Sequence, residues 1–252
     1  LLKAIRFDKA GKATIMNEVP IQGRKVPFRP LVMGGDDLTF VCDGRLALAL
    51  TTFYLQAFEK QTEKHVPSGP VHACAGIAVV KTHYPFARAY QLADALCSSA
   101  KQWAKRDNAD MSALDWHFAH SGLMGDLSLI RQREYTPQFD RQSKLHMRPL
   151  ALLEQPDSWR SWPVFEQVMH KFQTEKIWKG RRNKVKGLRE ALRAGPDAVI
   201  QFQAAYDVTL PTIDGNYPGL QDTGWAMQRC GYFDAIEATD FYVALNSTEA
   251  CQ

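Results

Sequence analysis

Two adjacent carboxylates, Asp36 and Asp37, are the residues of this sequence with the clearest capacity for chemistry. They directly follow Gly34 and Gly35, so two positions without a Cβ atom precede them. Carboxylate oxygens are preferred ligands of Mg²⁺, and a glycine backbone lets a phosphate group approach closely. The four residues therefore predict a site for a divalent cation and a polyphosphate. The alternative is a solvated turn, because Gly and Asp are common turn residues.

Apolar, β-prone residues flank this motif on both sides and indicate the element that positions it. Residues 31–33 precede the motif and residues 38–42 follow it. A Gly-Gly pair between two such runs is typical of a tight β-hairpin. We therefore expect Asp36 and Asp37 side by side at the tip of a hairpin.

The elements that follow the hairpin alternate between helix and strand. Apolar residues recur at helical spacing in residues 46–64 and 87–106, whereas residues 71–80 and 112–118 have the composition of strands. The order of hairpin, helix, strand, helix and strand indicates a ferredoxin-like or palm arrangement, an antiparallel sheet with helices on one face. Shorter strands are predicted at residues 4–7, 13–16 and 145–152.

The second half of the chain has a different character. Its apolar residues recur mainly at helical spacing, and no internal repeat is present. The sequence therefore predicts the α+β class, with a palm domain at residues 1–155 and a helical C-terminal domain at residues 156–252. Helices are predicted in that domain at residues 159–174, 181–194, 198–206 and 232–245.

The composition sets limits on the class of protein. Hydrophobic residues make up 45% of the 252 residues and charged residues 23%, as in ordinary globular domains. The formal net charge of +4 permits contact with nucleotides or nucleic acid without requiring it. Five scattered cysteines form no CxxC pair, which argues against a zinc site and a disulfide framework. Without a signal peptide or a long apolar run, we expect a cytoplasmic protein that is not inserted in a membrane.

Four motifs follow one another along residues 28–120. They are Leu-Val-Met-Gly-Gly-Asp-Asp-Leu, Ala-Gly-Ile-Ala-Val-Val, His-Tyr-Pro-Phe-Ala-Arg-Ala, and the Ser-Ala-Lys that ends at Lys101. In this order they resemble the palm (GGDEF-related) domain of the large polymerase/cyclase subunit of type III CRISPR effector complexes and its stand-alone relatives. Leu38 at the fifth position of the first motif argues against a diguanylate cyclase.

The resemblance implies a metal-dependent nucleotidyltransferase. In that family two metal ions bridge aspartates and a nucleoside triphosphate, and a ribose hydroxyl of one nucleotide attacks the α-phosphate of another. The acidic pair of the motif corresponds to Asp36 and Asp37, which would be the catalytic metal ligands for Mg²⁺ or Mn²⁺. Metal ions near a cationic helix end are suited to this chemistry, because phosphoryl transfer depends on charge neutralisation.

The resemblance also assigns residues to the nucleotide. Gly34 and Gly35 would leave room for the triphosphate, and Lys101 corresponds to a lysine that contacts phosphate in GGDEF relatives. Lys105 follows Lys101 by one helical turn, and both cations lie near the end of the predicted helix. A helix end also favours cations because of the helix dipole, which is the structural alternative for these residues.

One part of the family's site is not visible in the sequence. Active palms usually take a further metal-binding aspartate from an upstream strand, in a segment resembling Asp-Gly-Asn. Only Asp8 precedes the motif, in a Lys/Gly context that differs from this pattern. Because the chain opens with Leu-Leu-Lys, we expect either that a missing N-terminal segment carries the aspartate or that the site is degenerate. The Asp-Gly-Asn at Asp214 is more typical of a loop turn, because Pro211 and Pro218 flank it.

Other residues with chemical potential have simpler interpretations. His117 and His120 lack the ligand spacing of a metal site and are interpreted as structural or surface histidines. Asp115 and Ser112 are weak candidates for contact with a base or ribose. Three tryptophans, Trp159, Trp162 and Trp178, would either stack on bases or pack between helices.

The densest basic run extends from Lys176 to Lys186 and includes Trp178. It predicts a surface for RNA or for an acidic subunit of an effector complex, with a solvated helix start as the alternative.

These observations lead to three functional hypotheses. The first is a cyclase or oligonucleotide synthetase that makes a second messenger from nucleoside triphosphate, with ATP favoured, in prokaryotic CRISPR-type defence. The second is a catalytically inactive palm that senses nucleotides or metals within a complex. The third is an RNA-binding scaffold subunit that uses the basic run. We favour the first, and we consider a homodimer as well as effector-complex subunits as partners.

Overall fold

The computed structural model describes most of the chain. The described residues are 5–7, 13–15, 19–21, 26–106, 111–119, 125–155, 158–215, 217 and 219–243. They belong to two compact units, one comprising residues 1–73 and 240–252 and the other residues 74–239. The predicted domain boundary at residue 155 lies within the second unit and stays a prediction.

The first unit begins with a small antiparallel sheet. Its strands are β1 (Ile5–Phe7), β2 (Ala13–Ile15) and β3 (Val19–Pro20), in that order. The first two were predicted as strands, and they pair antiparallel with Ile5 opposite Ile15. The third strand contains a proline and lies at the edge of the sheet, where a missing backbone N–H group is tolerated.

A hairpin and a long helix complete the described part of the first unit. The predicted hairpin is confirmed as β4 (Phe28–Gly34) and β5 (Asp37–Cys42), and the predicted helix as α1 (Ala47–His65). The first turns of α1 are buried on all sides, since residues 47–53 are buried without interruption. The segment after the helix is held by Glu59 of α1, whose Oε1 atom lies 2.8 Å from Nδ1 of His72.

A strand, helix and strand form the framework of the second unit. They are β6 (Cys74–Val79), α2 (Phe86–Ala104) and β7 (Ala113–Phe118), close to the predicted positions. The strands β6 and β7 are parallel, because α2 returns the chain to the end of the sheet where β6 began. The antiparallel pairing that we expected is found where the short strand β8 (Leu150–Ala151) joins β7.

Close packing between α2 and β6 depends on Gly76. A Cβ atom at this position would lie 2.0 Å from the carbonyl oxygen of Ala93 and 2.3 Å from the backbone nitrogen of Cys97. Both atoms belong to the backbone of α2, so no side-chain movement relieves the clash. The glycine therefore sets the distance at which the helix lies on the strand.

The rest of the second unit is mainly helical, as predicted for the C-terminal half. This confirms the α+β class. The remaining elements are α3 (Leu127–Glu134), α4 (Trp162–Thr174), α5 (Arg182–Ala194), α6 (Pro196–Tyr206), α7 (Leu220–Thr223), β9 (Trp225–Ala226), β10 (Arg229–Cys230) and α8 (Phe233–Ala238). None of the helices in the described ranges has the length and hydropathy of a bilayer-spanning segment.

Tryptophans fill the core of the second unit. Trp116 of β7 packs edge-on against Trp162 and Phe165 of α4, with ring centroids 6.5 and 5.0 Å away. Trp159 is 2% exposed and Trp178 is 1% exposed. The hypothesis that tryptophans of this region stack on bases is therefore wrong, because the rings are enclosed by protein.

A buried ion pair joins distant parts of the second unit. Arg148 and Asp234 are both 0% exposed, and Nη1 of Arg148 donates a hydrogen bond of 2.9 Å to Oδ1 of Asp234. The backbone N–H groups of Met147 and Arg148 donate to Oδ2 of the same carboxylate, at 2.8 and 3.2 Å. Burial raises the pKa of Asp234, and Arg148 opposes that rise.

His146 lies beside this ion pair and is also buried. Its Nδ1 atom is 2.8 Å from the carbonyl oxygen of Arg148, and its ring packs edge-on against Tyr135. Burial, reinforced by the charges of Arg131 and Arg148, lowers the pKa of His146 well below its ordinary value. The folded protein therefore keeps this ring neutral in mildly acidic solution.

The close approach at Gly76 yields a stability prediction. Gly76→Ala should lower the free energy of unfolding by about 3 kcal/mol, because backbone atoms of α2 must move to admit the methyl group. Urea denaturation measures the change. The matched control is Gly125→Ala, whose Cβ atom would meet no atom within 4 Å. Equal stabilities of the two variants would contradict the close packing of α2 on β6.

The buried histidine yields a prediction for pH dependence. The unfolded chain binds a proton at His146 below about pH 6.5 and the folded chain does not, so the free energy of unfolding should fall as the pH falls. The expected contribution is up to about 1.4 kcal/mol per pH unit. Urea denaturation at pH 7.5 and 5.5 should show a smaller loss for His146→Asn, which keeps a donor near Nδ1 but does not titrate. Identical pH slopes would exclude His146 as the cause.

Candidate functional site

The predicted acidic motif, residues 34–37, lies at the tip of the β4–β5 hairpin, and its two central residues form the turn. Gly34 is paired with Asp37, and Gly35 and Asp36 occupy the two positions between them. Gly35 has a φ angle of +62°, whereas Asp36 does not have a positive φ. A positive φ at the first central position alone is typical of a type II′ turn, which requires glycine there. The second glycine of the motif is therefore needed for the turn itself.

The pairing of the strands determines which face of the hairpin carries Asp37. Side chains alternate along β5, so Asp37 lies on the face opposite Leu38 and Phe40. The partner strand has a β-bulge between Pro30 and Val32, because Pro30 pairs with Phe40 and Val32 with the next residue, Thr39. The carboxylate of Asp37 thus lies away from the apolar face of the hairpin.

Both carboxylates at the tip are exposed and available to a ligand. Among the residues that the structure describes, neither the carboxylate of Asp36 nor that of Asp37 has a hydrogen bond or an ion pair. A Cβ atom built at Gly34 or Gly35 would meet no atom within 4 Å, so the approach to the turn is open. Two unpaired carboxylates beside an open backbone fit a divalent cation and a polyphosphate as a donor set.

A third aspartate holds the base of the hairpin and is not part of this pair. Asp43 accepts hydrogen bonds from the side chain of Arg45, from Nε at 3.0 Å and from Nη2 at 2.8 Å. These hydrogen bonds lower the pKa of Asp43 below its ordinary value. Its carboxylate is thus engaged in the turn between β5 and α1, whereas the two at the tip are unengaged.

The predicted phosphate-binding lysines are at the expected helix end. Lys101 lies in the last turn of α2 and Lys105 is the residue that caps it, and both side chains are exposed. Burial raises the pKa of Cys74 at the start of β6, and the positive charges of the two lysines oppose that rise. These lysines belong to the second compact unit and the acidic pair to the first, so their part in one site stays a prediction.

The described residues contain no group of three or more His, Cys, Asp or Glu side chains arranged to hold a metal ion. Asp8 lies outside the described residues. Asp214 is described, and its Oδ2 accepts a hydrogen bond of 2.5 Å from Nε2 of Gln167.

Two of the weaker sequence candidates are structural. Asp115 is fully buried, and its Oδ1 accepts hydrogen bonds from Nη2 of Arg131 at 2.5 Å and from the backbone of Trp116 at 2.9 Å. The suggestion that it contacts a base or ribose is wrong, because its carboxylate is enclosed. His117 is also buried, with Nε2 3.8 Å from Oε2 of Glu134, and His120 lies outside the described residues.

The basic run is largely exposed, but the aromatic residue beside it is not the one that the sequence suggested. Trp178 is enclosed against Phe172, with ring centroids 5.3 Å apart. Tyr206, at the end of α6, instead lies near Lys184 of α5, whose Nζ is 6.0 Å from the centre of the tyrosine ring. The separation of these two residues along the chain hid this contact from sequence analysis.

Comparison with known proteins identifies the segment that carries the acidic hairpin. Residues 14–109 match the family model described as Cas10/Cmr2, second palm domain. The matched segment includes β4, β5 and α1 of the first unit and β6 and α2 of the second. No curated protein and no solved structure gives a significant match. Residues 14–109 are therefore similar to a palm domain, the second palm domain of Cas10/Cmr2.

Proposed function

We propose that the palm of this protein is a metal-dependent nucleotidyltransferase that joins or cyclises nucleotides into a second messenger. The observation that carries the proposal is the turn formed by Gly35 and Asp36, which presents two exposed, unpaired carboxylates within the matched palm segment. ATP is the favoured substrate, and the role is in CRISPR-type antiviral defence. As in Cas10/Cmr2, the protein would act with the other subunits of an effector complex.

The residues at the tip of the hairpin have distinct tasks in this proposal. Asp36 and Asp37 would hold Mg²⁺ or Mn²⁺ through their carboxylate oxygens. The bound metal would neutralise charge on the triphosphate and activate the attacking ribose hydroxyl. Gly34 would keep the space beside the carboxylates open for the triphosphate, since no atom lies within 4 Å of a Cβ atom placed there.

The cations at the end of α2 would bind the phosphate groups that the metal does not neutralise. Lys101 and Lys105 are exposed, and an ammonium group stabilises negative charge that accumulates during phosphoryl transfer. Their expected contribution is therefore to nucleotide affinity and rate, whereas the two aspartates would hold the metal ion on which efficient turnover depends.

The acidic pair yields the first test of this function. Asp36→Ala/Asp37→Ala should lower product formation by about 10²- to 10⁴-fold, because the metal-dependent stabilisation of the transition state is lost. The measurement is incubation with each nucleoside triphosphate and Mg²⁺ or Mn²⁺, followed by mass analysis of the products.

The matched control removes two exposed carboxylates elsewhere, as in Glu63→Ala/Asp94→Ala, and should retain activity. Product formation that persists in the hairpin double variant would contradict the assignment of the site. Metal-dependent binding of ATP without any product from the unmodified protein would instead indicate a nucleotide-sensing palm.

The glycines of the motif yield a second test, because they have different tasks. Gly34→Ala should leave the melting temperature unchanged, since its Cβ atom meets no protein atom, yet weaken nucleotide binding about 5- to 150-fold by occupying the space of the triphosphate. Gly35→Ala should lower stability, because an alanine at a φ of +62° is strained. Calorimetric titration with ATP and Mg²⁺ measures the affinity. Unaltered affinity of Gly34→Ala would show that the triphosphate does not approach there.

A further inference from the structure

A basic cavity of about 390 Å³ lies where the start of α5 meets the end of α6. The residues that line it are Gly180, Arg181, Arg182, Asn183, Lys184 and Tyr206. This cavity is open to solvent and is not enclosed. All of these residues belong to the second compact unit, so the cavity is formed without residues of the acidic hairpin.

The chain builds this cavity by folding α6 back along α5. Gly195 ends α5 with a φ angle of +124°, and Pro196 begins α6 directly after it. The helices pack closely at Gly187, where a Cβ atom would lie 2.9 Å from Cε2 of Phe202. Because the two helices are connected at Gly195, the first residues of α5 lie beside the last residue of α6. This places Tyr206 next to the cationic side chains.

Several cations of this surface have no salt bridge to a described residue. Within the described ranges, Lys176, Lys179, Arg181 and Lys186 are exposed and form no salt bridge. The first turn of α5 contains no acidic residue. Asp207 follows Tyr206 in the chain but does not line the cavity. The surface therefore carries several positive charges that an anionic ligand would neutralise.

The aromatic ring of the cavity is accessible as well. Tyr206 is 54% exposed, and its ring centroid lies 4.7 Å from that of Phe202, which supports it from α6. Nζ of Lys184 lies 6.0 Å from the centre of the Tyr206 ring. A planar group that stacks on this ring would have cations close to it. Aromatic rings beside such cations are the usual contacts for nucleotides of single strands.

We propose that this cavity binds one nucleotide of a single-stranded nucleic acid. The phosphate would contact Arg181 and Lys184, and the base would stack on Tyr206. Neighbouring phosphates would meet the cations that precede and follow the cavity in sequence, including Lys179 and Lys186. A single nucleic acid strand is favoured over a double helix because stacking requires an exposed base. It is favoured over an acidic protein because each nucleotide of a strand presents a flat base for Tyr206 together with a phosphate for the cations.

The test is binding of a fluorescein-labelled single-stranded RNA of 12 nucleotides to the full chain, measured by fluorescence anisotropy at several salt concentrations. Tyr206→Leu should weaken binding about 5- to 150-fold, and Tyr206→Phe should retain it. Arg181→Ala/Arg182→Ala/Lys184→Ala should also weaken binding. For this triple variant, the slope of log association constant against log salt concentration should be less steep, by about 0.7 for each phosphate that is no longer neutralised.

The matched control removes three exposed arginines elsewhere, as in Arg88→Ala/Arg133→Ala/Arg141→Ala. An equal loss of affinity in this control would overturn the proposal, because it would show attraction by net charge alone. Unchanged binding by Tyr206→Leu would overturn it too. Competition by AMP or UMP at concentrations comparable to those of the 12-mer would identify a mononucleotide site in place of a strand site.

Binding of the RNA strand at this cavity is independent of the proposed enzymatic activity. Binding measured with Asp36→Ala/Asp37→Ala in the presence of EDTA should equal that of the unmodified protein, because the cavity uses neither these carboxylates nor a metal ion. A protein that makes no nucleotide product yet binds the strand would refute the first proposal and support this one. A protein that makes product but has no affinity for the strand would do the reverse.

Discussion

The second compact unit depends on the fully buried ion pair between Arg148 and Asp234. Removing both charges from water is costly, and the cost is offset only when the geometry and the remaining hydrogen bonds are good. Here the carboxylate also accepts two backbone N–H groups, and the guanidinium lies 4.6 Å from the centre of the Tyr135 ring. Tyr135 in turn donates to Glu237 of α8 at 2.8 Å. The segment before β8, the end of α3 and α8 are thus fixed by one set of charges.

The charges of this protein fall into two groups with different roles. Two buried pairs inside the second unit, Asp115 with Arg131 and Asp234 with Arg148, serve the fold. The charges at the hairpin tip and in the cavity between α5 and α6 lie on the surface, and Asp36, Asp37 and Arg181 have no ion-pair partner among the described residues. Unmatched surface charge costs little in water and is available to a ligand, which is why both proposals concern these positions.

Local patterns predicted the elements that are long or that contain a strong turn. The hairpin at Gly34 and Gly35, the helices α1 and α2, and the strands β6 and β7 all follow from periodicity and turn chemistry. The helix α3 was missed because it has eight residues and buries only Ile130. The ion pair of Arg148 joins residues 86 positions apart, and no local pattern reports such a contact. The acidic pair was predicted because both of its residues lie in one turn, whereas Tyr206 reaches its cavity through tertiary packing.

The bulge in the hairpin makes the position of the acidic turn tolerant of one change in chain length. Leu31 is the additional residue of β4, since Pro30 pairs with Phe40 and Val32 with Thr39. A homologue that lacks this residue would form a regular ladder with the same pairs on both sides, so the carboxylates would keep their place. A deletion between Gly34 and Asp37 would instead shorten a turn that is already at its minimum of two residues. Natural variation in length is therefore expected in the strand and not in the turn.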